Sequence, residues 1–185
     1  MTSPSHRLVT VFGSAKPVLG DSAYTDAMKL GAQLAQLHLG VVTGGYMGTM
    51  EAVSKGSAEA GGTVVGVTCE EIENWRPTSH NAWVQEVIHC SSLAERIKRL
   101  IQEGNVGLIA LPGGIGTLAE IVLFWNHIII HPEDSRPMIF IGKAWQETIQ
   151  AFCAAQESYL DSSLPENFHF VCSVDEALLY FKQAG

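Results

Sequence analysis

Short, wholly apolar runs alternate along this chain with longer stretches of helical period. Leu8–Phe12 is the first such run, closed by Gly13-Ser14. Asp21–His38 follows with Ala27, Leu30, Gly31, Leu34 and Leu37 on one face, which predicts a helix. Gly40–Thr43 and Thr63–Thr68 read as strands, with a helix from Thr49 to Ala60 between them that Gly61-Gly62 stops. Glu70–Trp83 is polar and predicts a loop or a short irregular element. Val84–Ile88 reads as a strand. Ser92, with Glu95 three residues on, predicts a capped helix running to Glu103.

Val106–Leu111 is the most apolar strand of all. A helix over Thr117–His127, a strand at Met138–Ile141, a helix over Trp145–Gln156, a strand at Phe168–Val171 and a helix over Val174–Lys182 complete the pattern. Strands that are apolar throughout, separated by helices, imply a parallel sheet covered on both faces. The expected fold is therefore α/β, a single domain over residues 1–185. Right-handed crossovers place the strand-to-helix turns on one edge, where open parallel sheets bind ligands.

Composition narrows the picture. The chain has 185 residues, 46% hydrophobic and 16% charged, which suits one compact soluble domain. Net charge is −8, against a long nucleic-acid interface but not against a small anionic ligand held by backbone amides. Met1–Arg7 is short and polar, with no signal-type segment. Val106–Ile130 is apolar but carries Pro112, Glu120 and Asn126, so it reads as strand, turn and helix rather than a membrane span. Cys69, Cys90, Cys153 and Cys172 form no C-x-x-C pair and read as reduced thiols of a cytoplasmic protein.

Three turns follow strands and carry the candidate chemistry. They are Gly13-Ser14, Gly44-Gly45-Tyr46-Met47-Gly48-Thr49, and Pro112-Gly113-Gly114-Ile115-Gly116-Thr117. Glycine permits positive φ and lets an anion approach the backbone. The last two turns open into helices, whose first amides are unpaired and lie at the positive end of the dipole. Thr49 and Thr117 add hydroxyls there. Neither turn is a Walker loop, and the spacing fails the dinucleotide fingerprint, which disfavours hydride transfer.

Pro112-Gly113-Gly114-Ile115-Gly116-Thr117-Leu118-Ala119-Glu120 resembles the Pro-Gly-Gly-x-Gly-Thr-x-x-Glu signature of the LOG (lonely guy) family, and Gly44–Val67 resembles that family's second glycine region. The resemblance implies a Rossmann-like doubly wound sheet and a homodimer or higher oligomer. It also implies hydrolysis of the N-glycosidic bond of a nucleoside 5'-monophosphate, AMP or an N6-modified AMP, to free base and ribose 5-phosphate, without cofactor or metal. Glu120 would be the catalytic carboxylate and Arg96, with Arg99 as second choice, its arginine partner. Gly13, Ser14, Gly44, Gly45, Gly48, Thr49, Gly113, Gly114, Gly116 and Thr117 would seat the phosphate. Here Ala119 replaces a second glutamate, and Arg96 sits in an altered context, Ala94-Glu95-Arg96-Ile97-Lys98-Arg99. The alternative is a carrier or sensor: molybdenum-cofactor carrier proteins share the fold and a similar glycine turn.

Other groups are weaker candidates. His127 and His131 are four apart, with Glu133 and Asp134 following, but Pro132 ends the helix before a metal site forms. Trp75, Tyr46, His80 and Trp83 are candidates for a base pocket, and Glu70, Glu71 and Glu73 read as a solvated acidic stretch. The helix through Ile121–Ile130 is apolar on nearly all sides, so one face covers the sheet and the other calls for a second copy.

Overall fold

The computed structural model describes residues 7–160 and 164–182. The Met1–Arg7 reading therefore falls, apart from Arg7, outside the described residues. Seven strands, β1 Leu8–Phe12, β2 Gly40–Thr43, β3 Val64–Cys69, β4 Glu86–Cys90, β5 Gly107–Ala110, β6 Met138–Ile141 and β7 Phe168–Val171, form one sheet. Its order is β4-β3-β2-β1-β5-β6-β7, and every neighbouring pair is parallel.

Alternation along each strand explains two cores. Leu8 and Phe12 face one side of the sheet, Val9 and Val11 the other. The first side is covered by α4 Leu93–Glu103, α5 Ile115–Ile130 and α6 Lys143–Ala155, through Leu100, Phe124 and Ile149. The second is covered by α1 Ser22–Gln36, α2 Thr49–Glu59 and α7 Val174–Lys182, through Leu30, Val53 and Leu178. This is the doubly wound, Rossmann-like sheet with helices on both faces. Its strand order reverses between β1 and β5, so the turns after those two strands flank the switch point.

Several elements differ in their bounds from the pattern's prediction. Glu70–Trp75 is a short helix, α3, because its acidic residues occupy a helix start, where the dipole favours them. Strand β4 begins two residues late, at Glu86, being an edge strand whose exposed residues carry little alternation. Helix α5 begins at Ile115, inside the glycine turn, and runs to Ile130, just before Pro132. Ser92 caps α4 as expected, its Oγ accepting from the Glu95 amide at 3.3 Å. The returning Glu95 carboxylate reaches Ser91 N instead, at 3.0 Å. No described helix is long and apolar enough to cross a membrane.

Candidate active site

At the carboxyl edge of the sheet lies a cavity of about 400 Å³ that touches Gly13, Ser14, Arg96, Gly114, Gly116, Thr117 and Glu120. Residues from the ends of β1 and β5 and from helices α4 and α5 thus meet, although they are spread over more than a hundred positions of sequence.

Helix α5 opens onto the cleft without a side-chain cap. Its N-cap is Gly114, no side chain caps it, and the first intrahelical bond runs from Leu118 N to Gly114 O at 2.9 Å. The amides of Ile115, Gly116 and Thr117 are left for something outside the helix. A Cβ on Gly114 or Gly116 would meet nothing within 4 Å, and neither residue has positive φ. Chain packing and backbone strain therefore do not require glycine at these two positions. Open space in front of an uncapped helix start is the geometry of a phosphate seat. Trp145 Nε1 donates to Leu111 O at 2.9 Å and fixes the strand end from which this turn departs.

The other glycines serve the scaffold. Gly44 and Gly13 leave room for the Arg96 guanidinium and the Thr49 hydroxyl, and Gly113 leaves room for Thr117. Positive φ occurs at Gly45 and Gly48 (+78° and +76°), so only the second turn uses that freedom. Gly44, Gly45, Gly48 and Thr49 are buried behind the cleft wall. Thr49 Oγ1 donates to Ser14 O at 3.1 Å, tying the first turn to the second rather than facing a ligand.

Arg96 and Glu120 face each other across the cleft floor. Arg96 Nη1 lies 3.6 Å from Glu120 Oε1, and the two residues are 5% and 7% exposed. Arg96 Nε donates to Val67 O at 2.8 Å and Nη2 to Gly44 O at 3.3 Å, so strand ends fix the guanidinium. It also lies over the Tyr46 ring, 5.6 Å from its centroid. Burial pushes the Glu120 carboxyl up to about 7, and Arg96 partly offsets that rise. Burial separates the two arginines: Arg96 is 5% exposed, whereas the Arg99 side chain is 41% exposed. Arg96 points inward with Leu100, whereas Arg99 turns outward and pairs with Glu103 at 2.9 Å.

Several weaker candidates resolve as structure. Tyr46 is buried: Cys69 N donates to its hydroxyl at 2.7 Å, the hydroxyl donates to Glu73 Oε1 at 3.1 Å, and burial raises it to about 12. Glu71 accepts from Leu93 N at 2.7 Å, so two of the acidic residues hold structure rather than only solvate the surface. Trp83 borders a neighbouring cavity, with Lys55 over its ring, and His80 is exposed. His127 pairs with Asp134 at 3.1 Å and His131 with Glu133 at 3.2 Å. Among the described residues no group of three or more His, Cys, Asp or Glu gathers in a metal-holding arrangement.

Sequence reasoning missed Asn81, whose side chain donates to Gly45 O and Tyr46 O at 3.0 and 2.9 Å and clasps the second turn. It also missed Lys16, Ile72 and Arg76 on the cleft wall. A polar loop stretch gives no periodic signal that would select them.

Fold and cleft together define a Rossmann-like α/β protein with an open cleft at its switch point. Residues 6–165 match the SLOG cluster4 family, and the chain belongs to that family. It is 34% identical over 142 residues to a cytokinin riboside 5'-monophosphate phosphoribohydrolase of Rhodococcoides fascians, covering 75% of this chain and 69% of that one. It is 26% identical to the Moco carrier protein of Chlamydomonas reinhardtii, with a TM-score of 0.68 and 96% of each chain covered. The molybdenum cofactor binding protein of Rippkaea orientalis has the same fold, with a TM-score of 0.73, 19% identity and 97% of each chain covered. The family link is thus to a superfamily of both catalytic phosphoribohydrolases and carriers.

Proposed function

We propose that the cleft holds a 5'-phosphorylated nucleotide or nucleotide-like cofactor, phosphate on the open start of α5, and that holding it is the chain's task. The carrying observation is the uncapped α5 terminus fronted by Gly114 and Gly116, which have no steric reason within the chain to be glycine. Likeness over the full chain to a Moco carrier protein supports retention without turnover. So does the carboxyl of Glu120, raised to about 7 and thus substantially protonated at neutral pH, a state that donates a hydrogen bond to a sugar oxygen. Free, buried Cys69 and Cys90 suit a cytoplasmic protein.

The second reading is N-glycosidic hydrolysis, and the Arg96–Glu120 pair favours it. A buried ion pair stabilises a fold weakly and marks functional sites more often. In this reading C1'–N cleavage leaves an oxocarbenium-like sugar, which ionised Glu120 stabilises from below. Water then attacks C1', its proton passes to Glu120 and from there to the departing base, whose ring nitrogen ends as N–H and whose departure leaves Glu120 ionised again. The products are free base and ribose 5-phosphate. Arg96 keeps a fraction of Glu120 ionised at neutral pH.

The test is incubation with AMP, GMP, IMP, CMP and isopentenyl-AMP, followed by chromatography, with calorimetry in parallel and Glu120→Gln alongside. Binding with no base released supports the carrier. Base release that Glu120→Gln abolishes replaces it with the hydrolase. No binding of any monophosphate overturns both.

A second copy is the proposed partner of α5. Its outer face leaves Ile129 and Ile130 61% and 63% exposed, and Val122 and Leu123 partly so.

A further inference from the structure

Beyond the phosphate seat, the cleft ends on α3, where Trp75 and Arg76 line it together with Ile72. Trp75 is 79% exposed, so its indole is open to a ligand in the cleft. Arg76 lies over that ring, 5.6 Å from its centroid. Its backbone is fixed by Arg76 N donating to Ile72 O at 2.9 Å.

The guanidinium has no hydrogen-bond acceptor or carboxylate partner among the described residues, and its Nε is shut off from solvent with none. Two of the carboxylates of α3 are engaged elsewhere: Glu71 holds Leu93 N and Glu73 holds Tyr46. A half-buried cation whose donors are unmatched is costly to keep unless a ligand supplies acceptors.

Position sets which part of the ligand this is. Strand β3, which leads into α3, lies three strands from β5, which leads into α5, an offset of about 14 Å. With phosphate at α5, the sugar lies over Arg96 and Glu120, and the heterocycle reaches Trp75 and Arg76.

We propose that Trp75 and Arg76 form the base-recognition end of the cleft and that they select a heterocycle with a carbonyl beside a ring-nitrogen acceptor. Arg76 donates to both acceptors in the plane while Trp75 stacks on the ring. The 6-oxopurines, with O6 next to N7, have this edge, and so do pterins. Adenine puts an amino donor where the carbonyl would be, leaving an Arg76 donor unmatched. This rests on the cleft reading above.

The experiment is calorimetry on the full chain with GMP, IMP, neopterin monophosphate, AMP and ribose 5-phosphate, or kcat/KM ratios where base is released. Tenfold or greater preference for GMP, IMP or neopterin monophosphate over AMP is expected, and which of them binds tightest separates purine from pterin. Arg76→Met should bring that ratio within about threefold of one and leave ribose 5-phosphate affinity unchanged. Arg76→Lys, which keeps the charge but not the fork, should lose most of the preference as well. AMP bound as well as GMP or better by the wild type overturns the proposal while leaving the cleft reading intact. So does an Arg76→Met variant that is folded by circular dichroism and keeps the preference, or one that loses ribose 5-phosphate. Failure of the wild type to bind any of the five removes the cleft reading itself.

Discussion

Gly44 and Arg96 are shaped to each other across 52 residues of sequence: a Cβ on Gly44 would collide with Nη2 of Arg96, and the Gly44 carbonyl accepts from that same nitrogen at 3.3 Å. Glycine is needed here to make room for an arginine. Gly44→Ala should therefore destabilise the fold by about 1–3 kcal/mol, the usual cost of overpacking. It should also displace the guanidinium from Glu120 and weaken ligand binding at least tenfold. Denaturant titration and calorimetry check both; a variant as stable as wild type would contradict the packing argument.

Gly116 should behave in the opposite way. Nothing within the chain stands near an added Cβ, and the residue lies in the first turn of α5. Gly116→Ala is expected to keep or raise stability, by up to about 1 kcal/mol. Nucleotide affinity should nonetheless fall tenfold or more, because the methyl group enters the phosphate seat. Unchanged affinity in a stable Gly116→Ala would place the phosphate elsewhere.

The Glu120 carboxyl links stability to pH. Its folded value, about 7, lies above the ordinary 4.5, so between those limits the folded chain keeps a proton the unfolded chain has released. Stability from this group is fully present below about pH 4.5 and declines as pH rises through 7, by about 3 kcal/mol at most. Glu120→Gln should remove this part of the slope. Unfolding free energies at pH 5 and pH 8 for both proteins measure it, and parallel slopes would show that Glu120 titrates normally.

Helix α5 carries the assembly prediction. Ile129→Glu with Ile130→Glu charges a face that is already exposed in the single chain, so each chain should stay folded. Light scattering should shift from dimer or larger to monomer. A wild type that is monomeric at tens of micromolar would leave this face without its proposed cover.

Hydrophobic patterning determined most of the architecture before any coordinates. Runs such as Leu8–Phe12 and Met138–Ile141 are buried on both faces, and a sequence that is apolar at every position has few other places to go. The open glycine turn before α5 was legible for the same local reason, since a glycine turn running into a helix is written in consecutive residues. What patterning could not separate were glycines of one appearance and two purposes. Gly116 faces open space, whereas Gly44 is filled by a side chain that arrives from α4. Nor could it choose between Arg96 and Arg99, which lie one turn apart on one helix and pair with different glutamates, Glu120 and Glu103.

Tertiary structure alone decided those points, along with the placement of Arg76, whose surroundings come from the fold around the cleft rather than from its neighbours in sequence. Local sequence fixes backbone conformation and which faces are buried. Which side chain fills a given void, and which charge finds a partner, depends on strands brought together by sheet order, and that is a property of the whole chain.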